Sequence, residues 1–126
     1  MRPIDVVLAY REPVVPEGLV QLISKQFHNF ATARNAGEVR TAVARLGAGL
    51  AIVDLELLHF AELGELCRDF PATAFVCTHR IADDAMWSQS LAMGAVDCCL
   101  AGDLPKILLA SERYVAIKET QAPTAA

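Results

Sequence analysis

The run Leu50-Ala51-Ile52-Val53-Asp54 constrains this chain more than any other stretch. Four apolar residues lead without a break into a carboxylate. A strand reads this way when helices cover both of its faces, as in a parallel sheet. Asp54 then stands at the strand's carboxyl end, the edge of an open α/β sheet where binding and chemistry gather. An Asp in that place also caps the next turn or helix in many proteins, so position alone leaves the two roles level.

The rest of the chain makes this run one strand of five. Residues 4–9 (IDVVLA) are a short apolar strand. Tyr10-Arg11-Glu12-Pro13 follows as a loop, and Pro16 suits the first turn of a helix. Leu19, Leu22, Ile23 and Phe27 keep helical spacing to about His28. Residues 29–33 (NFATA) form a weak second strand. Asn35 with Glu38 three residues on resembles a capping box, and Val39, Ala42, Val43 and Leu46 give the helix behind it an apolar stripe. Gly47 and Gly49 close that helix before the central strand.

Beyond Asp54, Leu63, Leu66, Cys67 and Phe70 repeat the helical spacing until Pro71 stops it. Residues 73–78 (TAFVCT) are the fourth strand. Asp83 and Asp84 suit a helix N-terminus, and that helix runs to Met93, with Gly94 ending it. Residues 96–100 (VDCCL) are the fifth strand. Asp103 and Pro105 open a last helix, with Leu104, Ile107, Leu108 and Ser111 on one side, fading near Lys118. The expected organisation is one domain over 1–118 and a flexible polar tail over 119–126.

Alternation of strand and helix at this spacing predicts an α/β fold, a three-layer α/β/α stack around a parallel sheet. Right-handed crossovers narrow the topologies, and the flavodoxin-like, doubly wound five-stranded order 2-1-3-4-5 leads. It sets strands one and three side by side, so Tyr10-Arg11-Glu12 and Asp54 meet at one edge.

Composition sets the outer limits. The 126 residues are 54% hydrophobic, enough for a single core, and only 6% aromatic, so that core is aliphatic. The net charge is -4, without a basic block, which argues against nucleic-acid binding by this domain. No apolar run approaches the ~20 residues of a membrane span, and Asp5 interrupts any signal-peptide core, so a cytoplasmic location is expected. Cys67, Cys77, Cys98 and Cys99 contain no C-x-x-C pair and read as reduced thiols, mostly buried. His28 and His59 lack partners at ligand spacing, so no metal site is expected there.

In order and spacing, Glu12-Pro13 after strand one, Ile52-Val53-Asp54-Leu55, Thr78 ending strand four, and Leu91-Ala92-Met93-Gly94-Ala95-Val96-Asp97 resemble the response-regulator receiver (CheY-like) domains. The resemblance covers roughly residues 4–117. It implies a signalling module of a two-component phosphorelay, with a histidine kinase or another signalling protein as partner, and not an independent enzyme. It also implies that Asp54 stands at the phosphoacceptor position and that Thr78 contacts the phosphoryl oxygens. In that family an acidic pair after strand one helps to hold Mg²⁺, and a Lys after strand five meets the phosphoryl group.

The departures from that pattern are concentrated at the site. Tyr10 and Arg11 stand where the acidic pair belongs, leaving Glu12 as the nearby carboxylate. Ala101-Gly102 stand for Lys-Pro, Cys98 for the switch aromatic, and His79 for a small residue, where it would crowd Asp54. The resemblance therefore describes a degenerate receiver with weak or absent Mg²⁺ binding and no other cofactor. A guanidinium can grip a carboxylate through two parallel hydrogen bonds, and an Arg11–Asp54 contact is expected.

The competing function is a phosphorylation-independent interaction or dimerisation module, a homodimer across the face from the fourth to the fifth helix. A small flavodoxin-like enzyme or nucleotide binder is disfavoured, because neither G-x-G-x-x-G nor G-x-x-x-x-G-K-[ST] occurs. Trp87 is expected to fill core volume, and His79, near Asp83 and Asp84, to be a solvated loop residue.

Overall fold

The structure, a computed structural model, describes residues 2–11 and 18–121. Ten elements alternate along the chain: β1 (Arg2–Ala9), α1 (Leu19–Gln26), β2 (Phe27–Ala33), α2 (Ala36–Leu46), β3 (Leu50–Asp54), α3 (Phe60–Asp69), β4 (Ala74–His79), α4 (Asp84–Ala92), β5 (Asp97–Leu100) and α5 (Leu104–Gln121). The five strands are parallel, in the order β2-β1-β3-β4-β5 expected from the alternation.

Strand parity divides the core in two. Val7, Ala9, Ala51, Val53, Phe75 and Cys77 face α2 and α3. Val6, Leu8, Leu50, Ile52, Val76 and Cys99 face α1 and α5, which bring Leu19, Ile23, Ile107 and Val115. Every residue of β3 is buried, as its unbroken apolar run requires of a central strand.

Local signals fix most helix ends. Asn35 Oδ1 accepts the Glu38 N–H at 2.8 Å, which satisfies an amide that the first turn of α2 leaves open, and Glu38 Oε1 accepts the N–H of Arg34, just before the cap, at 3.0 Å. Asp83 Oδ1 accepts the Met86 N–H at 2.9 Å and starts α4. Gly94 takes φ +109, where only glycine fits comfortably, and a Cβ there would stand 2.8 Å from Cys67 Cβ.

Several boundaries differ from the sequence expectations. Helix α1 stops at Gln26, and Phe27 and His28 open β2 instead. Phe27 pairs with Arg2 of β1 and is buried among the α1/α5-side residues, so its apolar character serves the sheet. Helix α5 continues to Gln121, past the expected end near Lys118. The expected tail therefore begins in a helix, and residues 122–126 lie outside the described residues. Trp87 does not fill the core. It is 46% exposed, with Nε1 donating to Asp97 Oδ1 at 3.3 Å; the buried residue of α4 is the small Ser90. No described helix is long and apolar enough to cross a membrane.

Candidate functional site

The carboxyl ends of β1, β3, β4 and β5 bring four side chains into one row. The β1–β3 register, Leu8↔Ile52 and Ala9↔Val53, carried one step on, sets Tyr10 beside Asp54. Asp54 pairs with Thr78, and Thr78 with Cys99. Parity places all four toward α1 and α5.

Asp54 is 5% exposed. Its Oδ1 accepts the Glu56 N–H at 2.9 Å, and its carbonyl accepts the Leu57 N–H at 2.9 Å, so the chain turns tightly after β3. Burial raises the carboxyl's pKa above the usual value, partly offset by the Glu56 N–H. Desolvation disfavours the ionised form, and the backbone donor restores part of the loss.

Tyr10 and Thr78 are 2% and 0% exposed. The Tyr10 hydroxyl is near enough for the Thr78 hydroxyl to lower its pKa, although burial outweighs this and pushes the phenol up to about 12. Neither hydroxyl makes a well-formed hydrogen bond within the protein. Thr78 lies two strands from Tyr10, and neighbouring strands are about 4.8 Å apart. The phenol therefore extends across the end of β3 toward Thr78.

The charged residues arrange themselves around Glu56. Arg80 Nε meets Glu56 Oε1 at 2.9 Å, Arg11 Nη2 lies 3.9 Å from Oε2, and His79 Nε2 lies 4.0 Å from Oε1. Arg11 therefore does not hold Asp54, contrary to the sequence expectation. Its ion pair is with Glu56, its side chain is 63% exposed, and it acts on Asp54 only through space. The reason is steric: a bidentate grip needs two free oxygens, and Asp54 is buried with one oxygen already engaged, whereas Glu56 projects from the turn.

His79 does not lie freely in solvent. Its Nδ1 accepts the Ile81 N–H at 3.1 Å, which turns Nε2 toward Glu56. Ala101 sits in the turn after β5, its N–H donating to the His79 carbonyl at 3.1 Å. Arg80, Leu100, Ala101, Gly102 and Asp103 line an open hollow of about 570 Å³. Glu12 lies outside the described residues. His28 pairs with Asp5 at 3.3 Å, remote from this edge.

Glu56 and Arg80 are the participants that sequence inspection passed over. The signal was available: an Asp at a strand end makes an Asx turn to the amide two residues on, which pins that residue beside it.

Neither family models nor curated proteins match the chain. Solved structures do. A CheY-like response regulator receiver domain protein from Methanospirillum hungatei superposes with a TM-score of 0.79 at 15% identity, covering 95% of this chain and 99% of the other. A response regulator from Thermotoga maritima gives 0.78 at 21% identity, covering 92% and 99%. The isolated REC domain of RcsB from Salmonella enterica, solved with the phosphomimetic BeF3-, gives 0.70 at 19% identity, covering 89% and 90%. The fold is that of response-regulator receiver domains.

Within the receiver fold, Asp54 ends β3 and Thr78 stands beside it on β4, the two positions for which the sequence resemblance implies phosphoryl chemistry. Receiver chemistry also implies Mg²⁺, and the described donors do not suit it. Mg²⁺ asks for near-octahedral oxygen ligands with one or two carboxylates among them. Tyr10 offers a neutral phenol in a buried position, and Arg11 brings a positive charge. Among the described residues no cluster of His, Cys, Asp or Glu is placed to hold a metal ion.

Proposed function

We propose that this chain is a receiver-like module of two-component signalling that works through protein contacts and no longer runs Mg²⁺-dependent phosphoryl transfer at Asp54. The observation carrying this is the Tyr10 phenol leaning across β3 toward Thr78. It puts an uncharged ring where the fold's chemistry calls for a carboxylate, next to a buried Asp54. Ala101 in place of the Lys, and Arg11 in place of an acidic residue, support the same conclusion. The module is not an enzyme in its own right, and it binds no metal or organic cofactor.

Its partner is a histidine kinase or another signalling protein. The contact surface runs from α4 across β5 to α5, where Trp87, Leu100 and Leu109 are exposed, and it can also pair two copies of the chain. A second reading, in which Asp54 still accepts a phosphoryl group, is favoured by one feature, the direct Asp54–Thr78 pairing.

Intact-mass measurement after incubation with acetyl phosphate and Mg²⁺ separates the two. The first reading expects unmodified protein. A stoichiometric phosphoryl adduct lost on Asp54→Asn would establish the second.

A further inference from the structure

The two edges of the sheet are not alike. At one end β5 is four residues long and opens with Asp97. At the other end β2 is seven residues long, Phe27-His28-Asn29-Phe30-Ala31-Thr32-Ala33, without Lys, Arg, Asp, Glu or Pro. Among the described residues no strand or loop pairs with its outer side. Edge strands are usually short, charged or covered. A long uncharged one offers a row of free N–H and C=O groups to which another strand can add. Helix α2 flanks this edge. Its Gly37, Glu38, Thr41 and Arg45 are exposed and, with Thr32 of β2, line an open hollow of about 510 Å³. The first turn of α2 carries the acid and the last turn the base. Neither Glu38 nor Arg45 has an ion pair among the described residues.

We propose that a second copy of this chain adds here, β2 against β2 in antiparallel sense about a two-fold axis at Phe30, joining the two five-stranded sheets into one. In that register Phe30 faces the partner's Phe30, and His28 faces the partner's Thr32. No like charges meet, and the centre is an aromatic cross-strand pair. The helix layer continues as well. Helix α2 packs over both β1 and β2, so the two α2 axes stand about two strand spacings apart, roughly 10 Å, the ordinary separation of packed helices. Gly37 and Thr41 are small enough for that approach. Charge then selects a second copy over an unrelated strand. Thr41 lies about 7.5 Å along α2 from Ala36, and Phe30 about 10 Å along β2 from Ala33, so one axis passes close to both. The paired helices run antiparallel. Glu38 faces the partner's Arg45, and Arg45 faces the partner's Glu38, the reciprocity that a two-fold axis requires. This surface is separate from the α4–β5–α5 face and from Asp54.

The test is amide hydrogen exchange of the unmodified chain over a range of protein concentrations, with sedimentation velocity on the same samples. Self-association is expected, and alternate amides of β2 should gain roughly tenfold protection or more as it sets in. In Arg45→Glu, the midpoint concentration for β2 protection should rise roughly tenfold, because the axis turns one substitution into two lost pairs. Adding Glu38→Arg exchanges the charges and should bring the midpoint back. Both side chains are exposed, so the fold carries the changes. Unprotected β2 amides at high concentration overturn the proposal, whether the chain is then monomeric or paired through another face. A midpoint that ignores Arg45→Glu, or that the charge exchange fails to restore, overturns it too. Protection that appears only with an added extended peptide gives the edge to a different partner and has the same consequence. None of these outcomes bears on the α4–β5–α5 face, whose use is read from Trp87→Glu.

Discussion

The Glu56 main-chain N–H donates to Asp54 Oδ1 at 2.9 Å. This bond fixes the turn after β3 and stands the Glu56 side chain between Asp54 and the basic residues around it. The cations that would neutralise Asp54 are thus intercepted two residues later, and Asp54 is left buried with one backbone donor.

The first consequence concerns Tyr10 and Thr78. A buried hydroxyl without a partner costs about 1–3 kcal/mol. Tyr10→Phe should therefore be neutral or stabilise the fold by up to about 1 kcal/mol, and Thr78→Val should behave likewise. In a double-mutant cycle followed by urea unfolding, the coupling between the two should stay below about 0.5 kcal/mol, less than a well-formed hydrogen bond contributes. A loss of more than about 1 kcal/mol in Tyr10→Phe would show that the phenol is hydrogen-bonded.

The buried Asp54 carboxyl gives stability a pH dependence. Its folded pKa is raised above the usual 3.8, chiefly by burial. The folded chain therefore binds this proton more tightly than the unfolded chain. The associated stability is complete below the unfolded pKa and is lost as pH rises through the raised folded value. Asp54→Asn keeps an oxygen for the Glu56 N–H and removes the charge. It should be more stable than the unmodified chain at neutral pH, with the difference shrinking in acid. Thermal melts across that range check this, and a less stable Asp54→Asn at neutral pH would refute it.

Trp87 offers a contrast between surface and core. At 46% exposure with one long bond to Asp97, Trp87→Ala should cost less than about 1 kcal/mol, whereas a core tryptophan loses about 3–5 kcal/mol. If the α4–β5–α5 face pairs two copies, Trp87→Glu should shift sedimentation toward monomer with little change in stability. A monomer at high concentration in the unmodified chain removes the homodimer from the account.

Gly94 is the backbone position with least tolerance. Its φ of +109 and the 2.8 Å approach of a Cβ to Cys67 act together. Gly94→Ala should destabilise by roughly 1–3 kcal/mol, from left-handed strain and overpacking. Chemical denaturation measures it, and a neutral result would mean that α3 gives way at Cys67.

The fold was legible because its signals are local and redundant. The run Leu50–Asp54 can be little else than a central strand, and the Asn35 and Asp83 caps fix two helix starts. Phe27 was ambiguous because an apolar residue at a helix-to-strand junction satisfies both periods, and only pairing with Arg2 decides between them. Trp87 misled because α4 buries the small Ser90, so size was a poor guide to its facing. At the site, sheet order and strand ends brought Tyr10, Asp54 and Thr78 together as the chain pattern implied. The destination of Arg11 was not legible, since it depends on a turn that carries Glu56 outward while Asp54 stays within.

The most direct test of the central claim is a ¹⁵N NMR titration of the unmodified chain with Mg²⁺, followed by beryllofluoride as a phosphoryl mimic. The expected result is no saturable shift at Asp54, Glu56 or Thr78 at low millimolar Mg²⁺, and none on adding beryllofluoride. Saturation at micromolar Mg²⁺, with beryllofluoride shifts spreading from Asp54 and Thr78 toward β5, would contradict it.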